Sequence, residues 1–342
     1  MHPVSQQRIL WPDVVRIIAI FFIIQIHASI QVSSSPTIFN RLDLMGVPLF
    51  VLLSGTLLLG KQETYTTFFR KRCVKVLIPW IIWTILYMAY FYTMHHTQVH
   101  SDFFADHTSF ASQWFHFFFR TFMSSLWFLP MIFSIYLLTP LLRIIVRHAT
   151  RFDIFYILIL WFLFFSVLPY FVLSPLFPRW EPNVIFAPLQ FSGYFLLGYV
   201  VIKNDLLRKY NLPVLFLISI LPFLVLLFPF KTPYVQDFTA GYIFPGIVIA
   251  SVFFFYFLYA ACNKIENAIN LHGKRIIALI SGASFGVYVS NEMFIDYFKN
   301  VFLSIPFLSH SEFSFAILTF LVISLVVIVL QRIPILKYSI PQ

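Results

Sequence analysis

The stretch "DVVRIIAIFFIIQIH", Asp13 to His27, sets three ionisable side chains in an apolar run. An imidazole can take or carry a proton near neutral pH. A guanidinium can hold anionic oxygens, and a carboxylate can orient either group. Asp13 and Arg16 are three apart, so they share a helix face within pairing distance. His27 follows Arg16 by eleven residues, which leaves the two only about 20° apart around a helix. Gln25 points roughly the opposite way. With residue 12 as the inner edge of a span, Arg16 lies roughly 6 Å deep and His27 roughly 22 Å deep in a core of about 30 Å. One polar stripe then joins both sides of a membrane. Ionisable groups in hydrocarbon are costly and mark function by default.

Two further sets carry chemistry. In "SNEMFIDYF" (290–298), Glu292 and Asp296 share a helix face. Counted from Arg275, Glu292 lies about 25 Å deep, near the depth of His27, where a carboxylate can orient the imidazole. In "FFRKRCVKVLIPW" (68–80), Arg70, Lys71, Arg72 and Lys75 form the densest basic cluster, expected as the first inner loop. Arginine forks suit phosphate oxygens. Blander readings stand beside these. Arg16 can snorkel to headgroups with Asp13 as its partner, and His27 can be a hydrogen-bonded structural residue. Glu292 and Asp296 can be an outer-end polar face, and the basic cluster can be a topological anchor. Their joint occurrence on a single face weighs toward function. No Walker loop, dinucleotide glycine fingerprint or Gly-x-Ser-x-Gly elbow is present.

The elements that must position these groups follow from composition. The 342 residues are 60% hydrophobic and 11% charged, with mean hydropathy +0.86. Soluble domains carry about 25% charged residues. The chain is therefore expected to be an all-α integral membrane protein. Ten apolar segments are expected to span: about 12–32, 43–60, 75–94, 126–146, 152–171, 186–203, 213–230, 240–262, 277–299 and 312–331. Residues 95–125 read as an interfacial helix. One membrane domain fills 1–342. Asp13 and Arg16 inside the first run argue against a cleaved signal peptide.

Net charge is +10, but the basic residues sit in short loops, so topology explains them rather than nucleic-acid binding. With the N-terminus inside, 17 of the basic residues fall on the inner side. Five fall outside: Arg41, Arg120, Arg179, Lys231 and Lys299. That bias predicts an even number of spans with both termini in the cytoplasm. Cys73 and Cys262 fall at inner loops and suggest neither a disulfide nor a metal site.

The ordered motifs resemble the membrane-bound acyltransferase-3 family. The Asp-x-x-Arg…His opening is matched by "DVVRIIAIFFIIQIH". Further matches are "GVPLFVLLSGTLLL" (46–59), "FFRKRCVKVLIP", "SSLWFLPMIFSIYLLTPLL" (124–142), "FSGYFLLGYVV" (191–201) and "SFGVYVSNEMF" (284–294). Within the family the chain looks most like stand-alone bacterial O-acetyltransferases, such as the one that modifies enterobacterial common antigen. The resemblance implies a protein of the bacterial inner membrane. It would move an acyl group, usually acetyl, from cytosolic acyl-CoA to a sugar hydroxyl of a surface glycan or lipid-linked precursor, with no metal. It implies His27 as catalytic base or acyl relay, Arg16 as the motif arginine, and Arg70 and Arg72, with Lys75 beside them, in the loop for the CoA phosphates. Ser54, Gly55 and Trp127 match motif positions of unclear role. Many relatives have a histidine where this chain has Asn291, which cannot shuttle a proton at neutral pH; Glu292 is the neighbour that could stand in. The alternative class is a secondary transporter or flippase, which intramembrane Asp, Arg, His and Glu would also suit. Candidates for the acceptor's contacts are scattered: Arg41, Asp43, Asp102, Asp106, Arg179, Glu181 and Asp237.

Overall fold

A computed structural model describes residues 9–32, 42–94, 126–169, 187–224, 241–305 and 311–341, and these form helices with no strand among them. Each of the ten expected segments carries helix. The interfacial helix expected within 95–125 lies outside the described residues. So do Arg41, Asp102, Asp106, Arg120, Arg179, Glu181, Lys231 and Asp237.

Helix α1 (Trp11–Val32) leads to a short 3-10 turn (Asp43–Met45) and α2 (Gly46–Leu58). Then come α3 (Tyr65–Arg72), α4 (Ile78–Met94), α5 (Phe128–His148) and α6 (Arg151–Trp161). The chain continues with α7 (Ala187–Lys203), α8 (Leu212–Leu224), α9 (Pro245–Ile265), α10 (Leu271–Leu303) and α11 (Glu312–Leu330). Five of them (α1, α5, α9, α10 and α11) contain stretches long and apolar enough to cross a membrane. Residues Asp43–Leu58 and Leu212–Phe223 are shorter apolar helices.

The basic stretch expected as a loop is helical instead. Thr64 caps α3, its Oγ1 accepting from the Thr67 amide at 3.4 Å. The chain then widens at Cys73–Leu77 before α4. Pro79 has no N–H to give the preceding turn, and a wider turn absorbs that loss without ending the helix. Arg70, Arg72 and Lys75 therefore have fixed directions on a rigid element.

Two interfaces set the frame. Helix α1 packs on α2, α9, α10 and α11, and this surround buries opposite faces of it, Val15 and Ala19 on one side and Ile24 and Ala28 on the other. Helices α1 and α10 run parallel, because Asp13 meets Ser281 while His27 and Glu292 interact further along. Helices α2 and α7 cross at reciprocal glycines. A Cβ on Gly55 would fall 1.7 Å from the Phe195 carbonyl oxygen, and one on Gly198 2.0 Å from that of Leu52. Small residues permit this approach between apolar helices, where packing rather than hydrophobic exclusion holds the contact.

Candidate active site

At one end of α1, Asp13 is buried and accepts from Arg16 Nη1 at 3.0 Å and from Ser281 Oγ at 2.8 Å. The carboxylate thus aims Arg16 and ties α1 to α10. Ser281 escapes motif matching, yet it stands eleven residues before Glu292, about 20° away on the same helix face.

Arg16 also acts electrostatically on the buried Tyr136 of α5, whose hydroxyl has Ser54 of α2 as hydrogen-bonding neighbour. The Arg72 guanidinium stacks over Tyr136, 5.3 Å from the ring centre, and over Phe68 at 5.4 Å. Its Nε is buried with no hydrogen-bond partner. Arg72, Tyr136, Ser54 and Arg16 therefore form one neighbourhood built from four helices. Arg70 and Lys75 are exposed on α3 and the turn after it, so the structure separates them from Arg72. Tyr136 was not singled out by its motif, where it sits nine residues after Trp127.

A brace supports this neighbourhood. Arg143 is buried and donates twice to the Leu58 carbonyl, at 3.1 and 2.9 Å, and to Glu63 Oε1 at 3.0 Å. Lys71 pairs with the other Glu63 oxygen at 3.0 Å. In sequence Lys71 belongs to the basic cluster and Arg143 is one of the inner-side charges, and neither position points to Glu63. Burial works to raise the Glu63 pKa, but hydrogen bonds and charge from Lys71 and Arg143 outweigh it and hold the carboxyl below its usual range. Such a carboxylate stabilises the fold at neutral pH and loses that contribution as pH falls through its lowered folded value. Glu63→Gln is expected to cost about 1–3 kcal/mol at pH 7. It should also flatten the acid limb of a plot of Tm against pH in detergent. An unchanged Tm and acid limb would refute the brace.

At the other end of α1, His27 is half-buried, and Glu292 is near enough for its carboxylate to act on the imidazole. The two groups matched in depth from sequence are thus within electrostatic reach of one another. Asp296 is committed elsewhere: it accepts from Tyr90 at 2.9 Å and from Lys299 at 3.0 Å. Asn291 is fully buried, gives its amide N–H to the Tyr288 carbonyl and leaves Oδ1 without a partner. Trp127 packs on Tyr242 and Phe191, with ring centres 5.3 and 5.8 Å away. Next to it, Phe128 meets Tyr288 edge-on at 5.6 Å. The motif tryptophan closes an aromatic cluster between α5, α7 and the chain before α9.

A family model described as an acyltransferase domain, of the acyltransferase-3 type, matches residues 9–330. The chain belongs to the acyltransferase-3 family. It is a membrane acyltransferase built from apolar helices. No curated protein and no solved structure matches it. The acyltransferase match begins before Asp13 and ends after Glu292, so both ends of the α1 stripe lie within it.

Proposed function

We propose that this acyltransferase moves an acyl group, acetyl first among candidates, from cytosolic acyl-CoA to a sugar hydroxyl of a surface glycan or its lipid-linked precursor. In this reading residues 1–342 form one domain in a bacterial inner membrane, with ten spans and both termini in the cytoplasm. The enterobacterial-common-antigen type of O-acetyltransferase is the resemblance we extend to it. The observation that carries the reading is one helix, α1, with Arg16 beside Arg72 and Tyr136 at one end and His27 beside Glu292 at the other.

The donor's phosphates meet Arg72, whose buried Nε has no hydrogen-bond acceptor, with Arg70 and Lys75 adding exposed charge. Arg16, held by Asp13, lies on the way inward. An extended thioester arm must bridge the roughly 16 Å of α1 between Arg16 and His27. There His27 takes the proton of a sugar hydroxyl, whose oxygen attacks the thioester carbonyl. The tetrahedral intermediate collapses, the C–S bond breaks, and the imidazolium returns the proton to the leaving thiolate. Glu292 steadies the imidazolium. In a relay variant His27 carries the acyl group itself before the hydroxyl attacks.

The test is membranes or purified protein with labelled acetyl-CoA and an isolated glycan acceptor. Label should enter the glycan, and Glu292→Gln should slow entry by about tenfold or more while Tm stays at the wild-type value. If acetyl-CoA and longer acyl-CoA donors give no labelled glycan while the glycan itself crosses sealed vesicles, the transporter reading replaces this one. A wild-type rate for Glu292→Gln removes Glu292 from the mechanism.

A further inference from the structure

A second polar cluster lies on the far side of α1. Gln25 is about 160° from His27 around the helix. It is buried, and its Oε1 has no hydrogen-bond partner. Asp43, in the 3-10 turn before α2, is also buried, with Oδ2 unpartnered. Glu312, the first residue of α11, is close enough for its charge to act on Asp43.

Three contacts place Gln25 with the two carboxylates. A Cβ on Gly46 would meet Ala19 O at 2.9 Å and Phe22 and Ile23 at 3.1 Å, so Gly46 lies level with α1 residues 19–23. Asp43, one turn before Gly46, comes level with about residue 25. Phe21 touches both Phe313 and Phe320 at 5.8 Å, so it is level with the middle of that α11 segment. Glu312 then lies about 6–7 Å further along, again near residue 25. Around α1, Gln25 is about 40° from Phe21, which faces α11, and about 60° from Phe22. Phe22 stacks on Phe254 of α9 at 6.0 Å. The Asp43 turn packs against both α1 and α9. Gln25 therefore turns into the junction that Asp43 and Glu312 line.

The chemistry of the three groups is one-sided. Two carboxyl groups and an amide bring their oxygens to one junction, and buried oxygens are almost always satisfied. Paired charges inside a membrane ordinarily have opposite signs. Two carboxylates with a neutral oxygen suit a hard ion of charge +2, water completing the shell. No group of three or more His, Cys, Asp or Glu gathers among the described residues, so a third protein oxygen at this junction would have to come from an amide such as that of Gln25.

We propose that Asp43, Glu312 and Gln25 bind a hard divalent cation, Ca²⁺ or Mg²⁺, which clamps α1, α11 and the turn before α2 together. The site lies apart from His27 and does not depend on the acyl-transfer reading.

The experiment uses the full chain in detergent, stripped with EDTA, and follows Tm as CaCl₂ or MgCl₂ is added against NaCl of equal ionic strength. The wild type should gain about 5 °C at a hundredfold excess over Kd. Asp43→Asn should lose that gain. Without cation it should melt at or above the stripped wild type, because a neutral amide costs less to bury than a carboxylate. Equilibrium dialysis of ⁴⁵Ca²⁺ on the wild type should find about one ion per chain, lost in Glu312→Gln; this arm stands even if Asp43→Asn fails to fold. A wild-type Tm indifferent to divalent ions, an equal response to NaCl, an undiminished response in Asp43→Asn, or no bound ion would each overturn the proposal.

Discussion

His27→Ala is expected to lower acyl transfer by about 10²–10⁴-fold, the usual share of a positioned general base. The side chain stands beside Glu292 at the end of α1 away from Arg16, roughly 16 Å along the helix. Donor phosphates held near Arg72 would not feel its loss. The fall should therefore appear in kcat, with the KM for acyl-CoA nearly unchanged. Arg72→Met should show the converse, a raised donor KM with a smaller change in kcat. The two variants together test whether one helix separates donor recognition from chemistry. Pre-incubation with labelled acetyl-CoA and no acceptor then divides the two forms of the mechanism. A relay deposits label on the wild-type protein but not on His27→Ala, whereas direct transfer deposits none on either. A His27→Ala enzyme working at the wild-type rate would remove the imidazole from the mechanism altogether.

The spacing of these groups is legible in the sequence, because periodicity and depth are properties of a single helix. Arg16 and His27 share a face by counting, and Glu292 reaches the depth of His27 by counting along a second span. What counting cannot supply is which helices are neighbours. Ser54 and Tyr136 are 82 positions apart, and Arg143 reaches Glu63 across 80. Each reads singly as a motif serine, an apolar-span tyrosine or an inner-side charge. Asp43 shows the same limit in reverse: it reads as one of several scattered outer-side acids, yet it is buried against α1. The stretch 68–80 misleads for a different reason. Its charge suggests a loop, but the Thr64 cap and the wide turn before Pro79 allow helix to continue through it.

Gly55→Ala should destabilise the protein far more than its single added methyl group suggests. That carbon would sit 1.7 Å from the Phe195 carbonyl oxygen, where real contacts essentially never fall below 3.0 Å. The obstacle is helix backbone, so no rotamer change relieves it, and α2 and α7 must move apart. Leu49, Leu52 and Phe195, all fully buried, would lose contact as they do. Overpacking of this kind costs about 1–3 kcal/mol or more, or some 2–10 °C in Tm at the size scaling of larger domains. Gly198→Ala forces the same separation from the other side, 2.0 Å from the Leu52 carbonyl. The double variant should therefore be less destabilised than the sum of the singles. Gly282→Ala is the control, since nothing lies within 4 Å of its Cβ, and its Tm should hold or rise. Additive losses, or a Gly55→Ala protein as stable as Gly282→Ala, would sink the argument. The same displacement has a functional reading. Ser54 precedes Gly55 and touches Tyr136, the ring on which Arg72 stacks. Moving α2 away from α7 shifts that serine, so folded Gly55→Ala should bind acyl-CoA more weakly while the His27–Glu292 end keeps its chemistry.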